Sequence, residues 1–212
     1  MSTKQKATGL IRILIATGNA NKAKEFREML SSDRLAWDDL AAHPNAAAVE
    51  ETGTTFRANA CLKACGYATR FRTWALADDS GLEVDALDGR PGVMSARWAQ
   101  IHNAGSGDAD NNATLLRQLD HVPDRQRTGR FVCVLALSDP KGRVVLTVRE
   151  TVEGQILRSP RGANGFGYDP LFLVPELNLT TAELSSDKKH ELSHRGKALR
   201  RLKALMLHVG LA

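Results

Sequence analysis

An apolar run rich in isoleucine, Leu10 to Ala16, ends in Thr17-Gly18-Asn19. Beyond it, Phe26, Met29 and Leu30 recur at helical spacing, with Lys22, Lys24, Glu25, Arg27 and Glu28 on the other face. This predicts a strand, a glycine-containing turn and a helix. Residues 38–51 are alanine-rich and lack a clear period, so a loop with a short strand is expected. Thr54 or Thr55 is placed to N-cap a helix running to about Arg70, with Phe56, Ala60, Ala64, Tyr67 and Phe71 as its apolar stripe. Asn59 and Lys63, one turn apart, project from one face of it. Trp74 to Ala77 reads as a short buried strand and Leu82 to Leu87 as another, with a sharp turn at Ser80-Gly81. Residues 103–110 read as a loop and Asn111 to Leu119 as a short helix. Arg130–Leu137 and Arg143–Glu150 form a hairpin through Asp139-Pro140-Lys141-Gly142. A glycine-rich loop, Gly162 to Asp169, and a short strand, Leu171 to Val174, follow. Leu199, Leu202, Leu205 and Met206 mark a final amphipathic helix after His194-Arg195-Gly196. The alternation of strands and helices gives an α/β class with an antiparallel hairpin in the second half.

The chain has 212 residues, enough for one large domain or two lobes around a cleft. No apolar run approaches the roughly 18 residues of a membrane span. Met1 to Gly9 is polar and lacks the apolar centre of a signal peptide, so it reads as a disordered leader and the location as cytoplasmic. The three cysteines, Cys61, Cys65 and Cys133, form no metal-type spacing and are expected to be buried thiols in a reducing compartment. A net charge of +5 fits an anionic partner without separating a nucleotide from a nucleic acid.

The chemistry concentrates in a few segments. Asp78-Asp79-Ser80-Gly81 puts two carboxylates at the end of an apolar strand, where desolvation is costly without a cation. A hard divalent ion such as Mg²⁺ fits; an acidic surface turn fits these residues as well. Glu50-Glu51 precedes a helix start, where the dipole favours negative charge; either residue could join Asp78 or Asp79 around a metal. Thr17-Gly18-Asn19-Ala20-Asn21-Lys22 lies between a strand end and a helix start, a place suited to phosphate. Ordinary capping by Asn19 explains the same residues. Asn164-Gly165-Phe166-Gly167-Tyr168-Asp169 sets an aromatic between two glycines, as a base-stacking loop requires. Lys189, His194 and Arg195 add positive charge, which a solvated basic helix face would also explain.

In that order, Thr17-Gly18-Asn19 with Lys22, Glu50-Glu51-Thr52-Gly53 with Asn59-Ala60, Ala77-Asp78-Asp79-Ser80-Gly81-Leu82, Pro91-Gly92 with Ser95-Ala96-Arg97, Gly165 to Pro170 and Ser193-His194-Arg195-Gly196 resemble the inosine triphosphate pyrophosphatase (Ham1-like) family over roughly residues 11 to 208. The resemblance implies a two-lobed α/β fold over residues 10–210, with a central mixed sheet flanked by helices and a nucleotide cleft between the lobes. It implies hydrolysis of ITP, dITP and XTP to the monophosphate and pyrophosphate, with Mg²⁺, in a homodimer without membrane or stable nucleic-acid partners. By motif position, Thr17, Gly18, Asn19, Ala20, Asn21 and Lys22 would hold triphosphate, with Lys63 as a further substrate contact. Asp79 would be general base and metal ligand, and Glu50 or Glu51 the second ligand. Ser80, Phe166, Gly167, Tyr168, Asp169, Lys189, His194 and Arg195 would line the nucleotide site. Ala58 stands where relatives often carry Glu.

Base selection is expected from donors near Phe166, or from His194 or Arg195, directed at the O6 atom that adenine lacks. Two other classes compete. One is a pyrophosphatase for other modified nucleotides; the other is a nucleic-acid-binding module, which leaves the acidic residues unexplained.

Overall fold

The computed structural model describes residues 10–30 and 34–211; the expected leader lies outside them. Seven strands form one mixed sheet in the order β2-β1-β3-β4-β5-β6-β7. They are β1 (Ile11–Ile15), β2 (Leu35–Asp39), β3 (Trp74–Val84), β4 (Thr128–Ser138), β5 (Val144–Ile156), β6 (Phe172–Val174) and β7 (Leu179–Thr180). β1 runs parallel to both β2 and β3, and every later pairing is antiparallel. The helices are α1 (Ala20–Met29), α2 (Phe56–Phe71), α3 (Trp98–Ile101), α4 (Asp108–Gln118), α5 (Ser186–Leu192) and α6 (His194–His208).

Local chemistry starts the helices. Thr55 Oγ1 accepts from the Ala58 N–H to cap α2, and Ser193 does the same from Gly196 for α6. His194-Arg195-Gly196 is therefore the first turn of α6 rather than a segment before it. α5 was not signalled by the periodicity, being only seven residues long. Packing then fixes two lobes. α1 and α6 cover one face of β1, β3 and β4 through Phe26, Leu76, Leu135 and Leu202. α2 covers the other through Ala60, Ala64, Ala75 and Val134. A third apolar cluster, around Leu82, Trp98, Leu115, Phe131 and Phe172, fills the lobe at the far end of the sheet.

The sharp turn expected at Ser80-Gly81 does not exist. β3 continues straight through it, because Asp78, Asp79, Ser80 and Gly81 pair with Leu135, Val134, Cys133 and Val132 of β4. Strand geometry ends at Val84, and Asp85–Leu87 form a 3-10 turn instead of the expected strand. Gly81 serves packing rather than turning: a Cβ there would collide with Ser95 Oγ and the Gly92 carbonyl. Only Cys133 is a buried thiol; Cys61 and Cys65 are half-buried on α2.

Arg127 ties the far lobe together. It is 1% exposed, yet its guanidinium donates to the carbonyls of Ile156 (2.9 Å), Leu119 (2.5 Å) and Leu157 (2.9 Å). Those carbonyls close the ends of α4 and β5. Replacing Arg127 with Met removes the guanidinium from three carbonyls, of which Leu119 keeps the Val122 N–H. A stability loss on the order of 3 kcal/mol is expected in urea unfolding, and an unchanged midpoint would refute this role.

Candidate active site

A cavity of about 480 Å³ opens between the lobes, within the roughly 300–1,000 Å³ typical of small-molecule sites. Its walls come from the end of β1, α1, α2, β3, α4, the 166–169 loop, α5 and α6. Of the residues singled out from the sequence, Thr17, Gly18, Asn19, Lys22, Glu51, Lys63, Asp79, Ser80, Phe166, Gly167, Tyr168, Asp169, Lys189, His194 and Arg195 all line it. Ala20, Asn21 and Glu50 are exposed and do not. Of the tandem, Glu51 lines the cleft and Glu50 does not.

Successive side chains of a strand point to opposite faces, and this separates the two aspartates. Asp79 faces α2. Its Oδ2 accepts from Asn59 Nδ2 (3.2 Å), and its Oδ1 lies 3.4 Å from Lys63 Nζ. Lys63 Nζ also reaches Glu51 Oε2 at 3.0 Å. Asn59 Oδ1 accepts from the Gly53 N–H (2.8 Å), which anchors the segment carrying Glu51. Burial raises the Asp79 pKa, and although Lys63 and Lys22 oppose this, the charges of Glu51 and Asp78 keep it above the ordinary value. Burial works against the Lys63 ammonium, but Asp78, Asp79 and Glu51 push its pKa up, so it stays charged.

Asp78 faces α1 and α6. Lys22 Nζ lies 2.8 Å from its Oδ2, Ser80 Oγ donates to the same oxygen (2.8 Å), and Arg195 Nη2 lies at 3.7 Å. Burial alone would raise its pKa; Lys22, Arg195 and Lys63 outweigh this and hold the carboxyl well below the usual carboxylate range. Asp78 Oδ1 is buried without a hydrogen-bond partner. At the neighbouring helix start, Asn19 Oδ1 accepts from the N–H groups of Asn21 (2.9 Å) and Lys22 (3.1 Å), so ordinary capping is realised there. The Lys22 ammonium, paired with Asp78, and the Thr17 and Asn19 side chains line the cavity at this end.

The opposite end is aromatic. Lys189 Nζ sits 4.9 Å and Arg195 Cζ 5.7 Å from the Phe166 ring centroid. The Phe166 N–H donates to Asp169 Oδ2 (2.8 Å), which also pairs with Lys189 (2.6 Å). The Gly167 N–H donates to Asp108 Oδ2 (2.6 Å). Both of these N–H groups are therefore engaged within the protein. Tyr168 is buried, its hydroxyl donating to the Ser95 carbonyl (2.9 Å). His194 is buried and stacked on Phe131 at 4.9 Å. Burial, then the charges of Arg195, Lys189 and Lys22, drive its pKa well below the ordinary 6.5, so the ring is neutral.

Glu25 and Asp108 were not singled out from the sequence. Glu25 pairs with Arg195 and lies 3.4 Å from Lys189. Burial would raise its pKa, but those two cations lower it. Its helical position, three residues after Lys22, was the available signal. Asp108 sits at a loop-to-helix junction, with no local pattern to mark it. Ala58 packs beside Gly53 and donates its N–H to Thr55.

Glu51 and Asp79 converge on the single cationic group of Lys63, so the position between them suits positive charge. Their oxygens are the donors a hard divalent cation takes. Among the described residues no group of three or more His, Cys, Asp or Glu could hold a metal. Two carboxylates alone leave most of a hard cation's oxygen shell to come from elsewhere.

The family model described as Ham1 family matches residues 13–205. A dITP/XTP pyrophosphatase of Exiguobacterium sp. is 52% identical over 92% of this chain and 96% of its own length. One from Nitratidesulfovibrio vulgaris is 51% identical over 90% and 93%. Among solved structures, a HAM1 protein from Coxiella burnetii superposes with a TM-score of 0.84 at 37% identity, covering 94% of this chain and all of that one. A nucleoside-triphosphatase (dITP/XTP pyrophosphatase) from Mycobacterium abscessus gives 0.73 at 42% identity, covering 91% and 98%.

The neutral His194 has a consequence for stability. Its folded pKa lies below its unfolded one, so the unfolded chain binds the extra proton first as pH falls below about 6.5. The wild-type melting temperature is expected to drop between pH 7 and 5, and His194→Gln is expected to flatten that drop. Parallel pH curves for the two proteins would exclude it.

Proposed function

This chain belongs to the Ham1 family, and from that membership and the form of its cleft we propose that it hydrolyses the nonstandard purine nucleoside triphosphates ITP, dITP and XTP to the monophosphate and pyrophosphate, clearing deaminated purines from the nucleotide pool. The observation that carries this reading is one cleft with two unlike ends. Asp79, Glu51, Lys63 and Lys22 stand at one, and Phe166 with Lys189, His194 and Arg195 stands at the other. A triphosphate and a flat base need those two environments in one ligand-sized space.

In this reading Thr17, Asn19, Lys22 and Lys63 bind the phosphates. Phe166 stacks on the base, and the neutral His194, which keeps one N–H donor, and Arg195 face its O6 edge. Asp79, which faces the cavity from β3, is the general base. As water loses that proton, its oxygen bonds to the α-phosphorus, the bond to the α–β bridging oxygen breaks, and pyrophosphate leaves. Asn59 keeps the Asp79 carboxylate in place through its amide. Glu51 and Asp79 would hold Mg²⁺, which when bound neutralises phosphate charge and polarises the phosphoryl group. We extend the proposal to a homodimer in the cytoplasm, and to residues 10–210 as one functional unit, on the resemblance of the motifs.

Pyrophosphate release from ITP, ATP and GTP, with and without Mg²⁺, tests the assignment. ITP turnover that requires the cation and exceeds ATP turnover by orders of magnitude is expected. Equal rates on ATP would refute base selection, and no pyrophosphate from any of these triphosphates would refute the function. Asp79→Asn is expected to lower kcat by about 10²- to 10⁴-fold. Phe166→Ala is expected to raise KM for ITP roughly 5- to 150-fold through lost stacking; an unchanged KM would remove Phe166 from the base site.

A further inference from the structure

One residue of the aromatic loop, Gly167, is gripped on both of its backbone polar groups by α4. The Gly167 N–H donates to Asp108 Oδ2 at 2.6 Å, and the Gly167 carbonyl accepts from Asn112 Nδ2 at 2.9 Å. Asp108 and Asn112 are four residues apart and so share one face of the helix. We propose that they are positioning residues: a clasp that fixes the Phe166 ring for stacking on the base. This rests on the nucleotide-hydrolase reading above and names the device that orders its base subsite.

Three observations carry the argument. Phe166 is held from the other side as well, its N–H on Asp169 Oδ2, which is itself held by Lys189. The ring thus hangs between two anchors from different parts of the chain, and losing one frees it to swing about the other. Gly167 has a φ of +63°, and a Cβ there would meet nothing within 4 Å. The left-handed backbone, rather than lack of space, is what the glycine supplies, and Asp108 and Asn112 fix the groups on either side of that bend. Lastly, the carboxylate is well placed for the task. Asp108 occupies the first position of α4, where the helix dipole favours its charge. The Ser106 N–H on Asp110 Oδ2 (2.8 Å) closes the preceding turn. Asn112 Oδ1 is buried and unpartnered, so its amide is oriented by the bond to Gly167 alone.

An ordered ring costs less to bind than a mobile one, and only ligands that carry a base feel the difference. IMP and inorganic tripolyphosphate, each as an inhibitor of ITP hydrolysis by the full chain, separate the two ends of the cleft. In Asp108→Ala and Asn112→Ala the IMP inhibition constant is expected to rise about tenfold, the scale of one lost hydrogen bond to a charged or well-aligned partner. The tripolyphosphate constant stays as in wild type. KM for ITP rises with little change in kcat, and Asp108→Asn, which keeps an acceptor oxygen, recovers most of the IMP affinity. Wild-type IMP inhibition in both alanine variants overturns the clasp. Equal loss of both inhibitors in every variant, which signals general damage to the lobe, overturns it too. If the wild-type chain hydrolyses no purine triphosphate and binds no IMP, the functional reading itself falls, an outcome distinct from variants that match an active wild type.

Discussion

The central constraint is a pair of carboxylates side by side in β3, just past the end of its pairing with β1 and still on the β4 ladder. Asp78 is 1% exposed in the middle of the sheet, where an unpaired charge would cost several kcal/mol. Lys22 from α1 and Arg195 from α6 answer it from one face, while Lys63 from α2 answers Asp79 from the other. Three helices are thereby required to converge on one short stretch of β3. The cleft is the place where their cations meet.

The same arrangement divides the labour of the two aspartates. Asp78 is saturated with positive charge and has a carboxyl held far down, so it organises its surroundings and does not exchange protons near neutrality. Asp79 has one ammonium and one amide against it, a neighbouring glutamate, and access to the cavity. A difference of one position along a strand, which reverses the face, gives the two carboxylates different partners. Glu25 plays the corresponding part at the base end, where it receives Arg195 and Lys189 behind the ring they flank.

What could be read from the sequence follows how local its cause is. The Thr55 cap, the stripe of α2 and the β4–β5 hairpin depend on neighbours within a few residues, and they stand where the pattern puts them. The path of β3 through Ser80-Gly81 depends on a ladder with residues more than fifty positions away, so local turn chemistry misled. Most of the site residues were legible because strand ends and glycine-flanked aromatics are chemically odd in a core. Glu25 was not separable from a solvated helix face, since the cations that claim it lie more than 160 residues on. The commitment of the Phe166 and Gly167 N–H groups to Asp169 and Asp108 has no trace in the pattern, because a carboxylate at a loop–helix junction looks like an ordinary cap.

Cys133 sits opposite Ser80 on β4, fully enclosed beneath this layer of charges. Burial, only partly offset by Arg195, pushes its thiol up to about 12. The nucleophilic thiolate is therefore disfavoured at neutral pH. The Cys133 thiol is also the least accessible of the three, and Cys61 and Cys65, half-buried on α2, are the ones a reagent meets first.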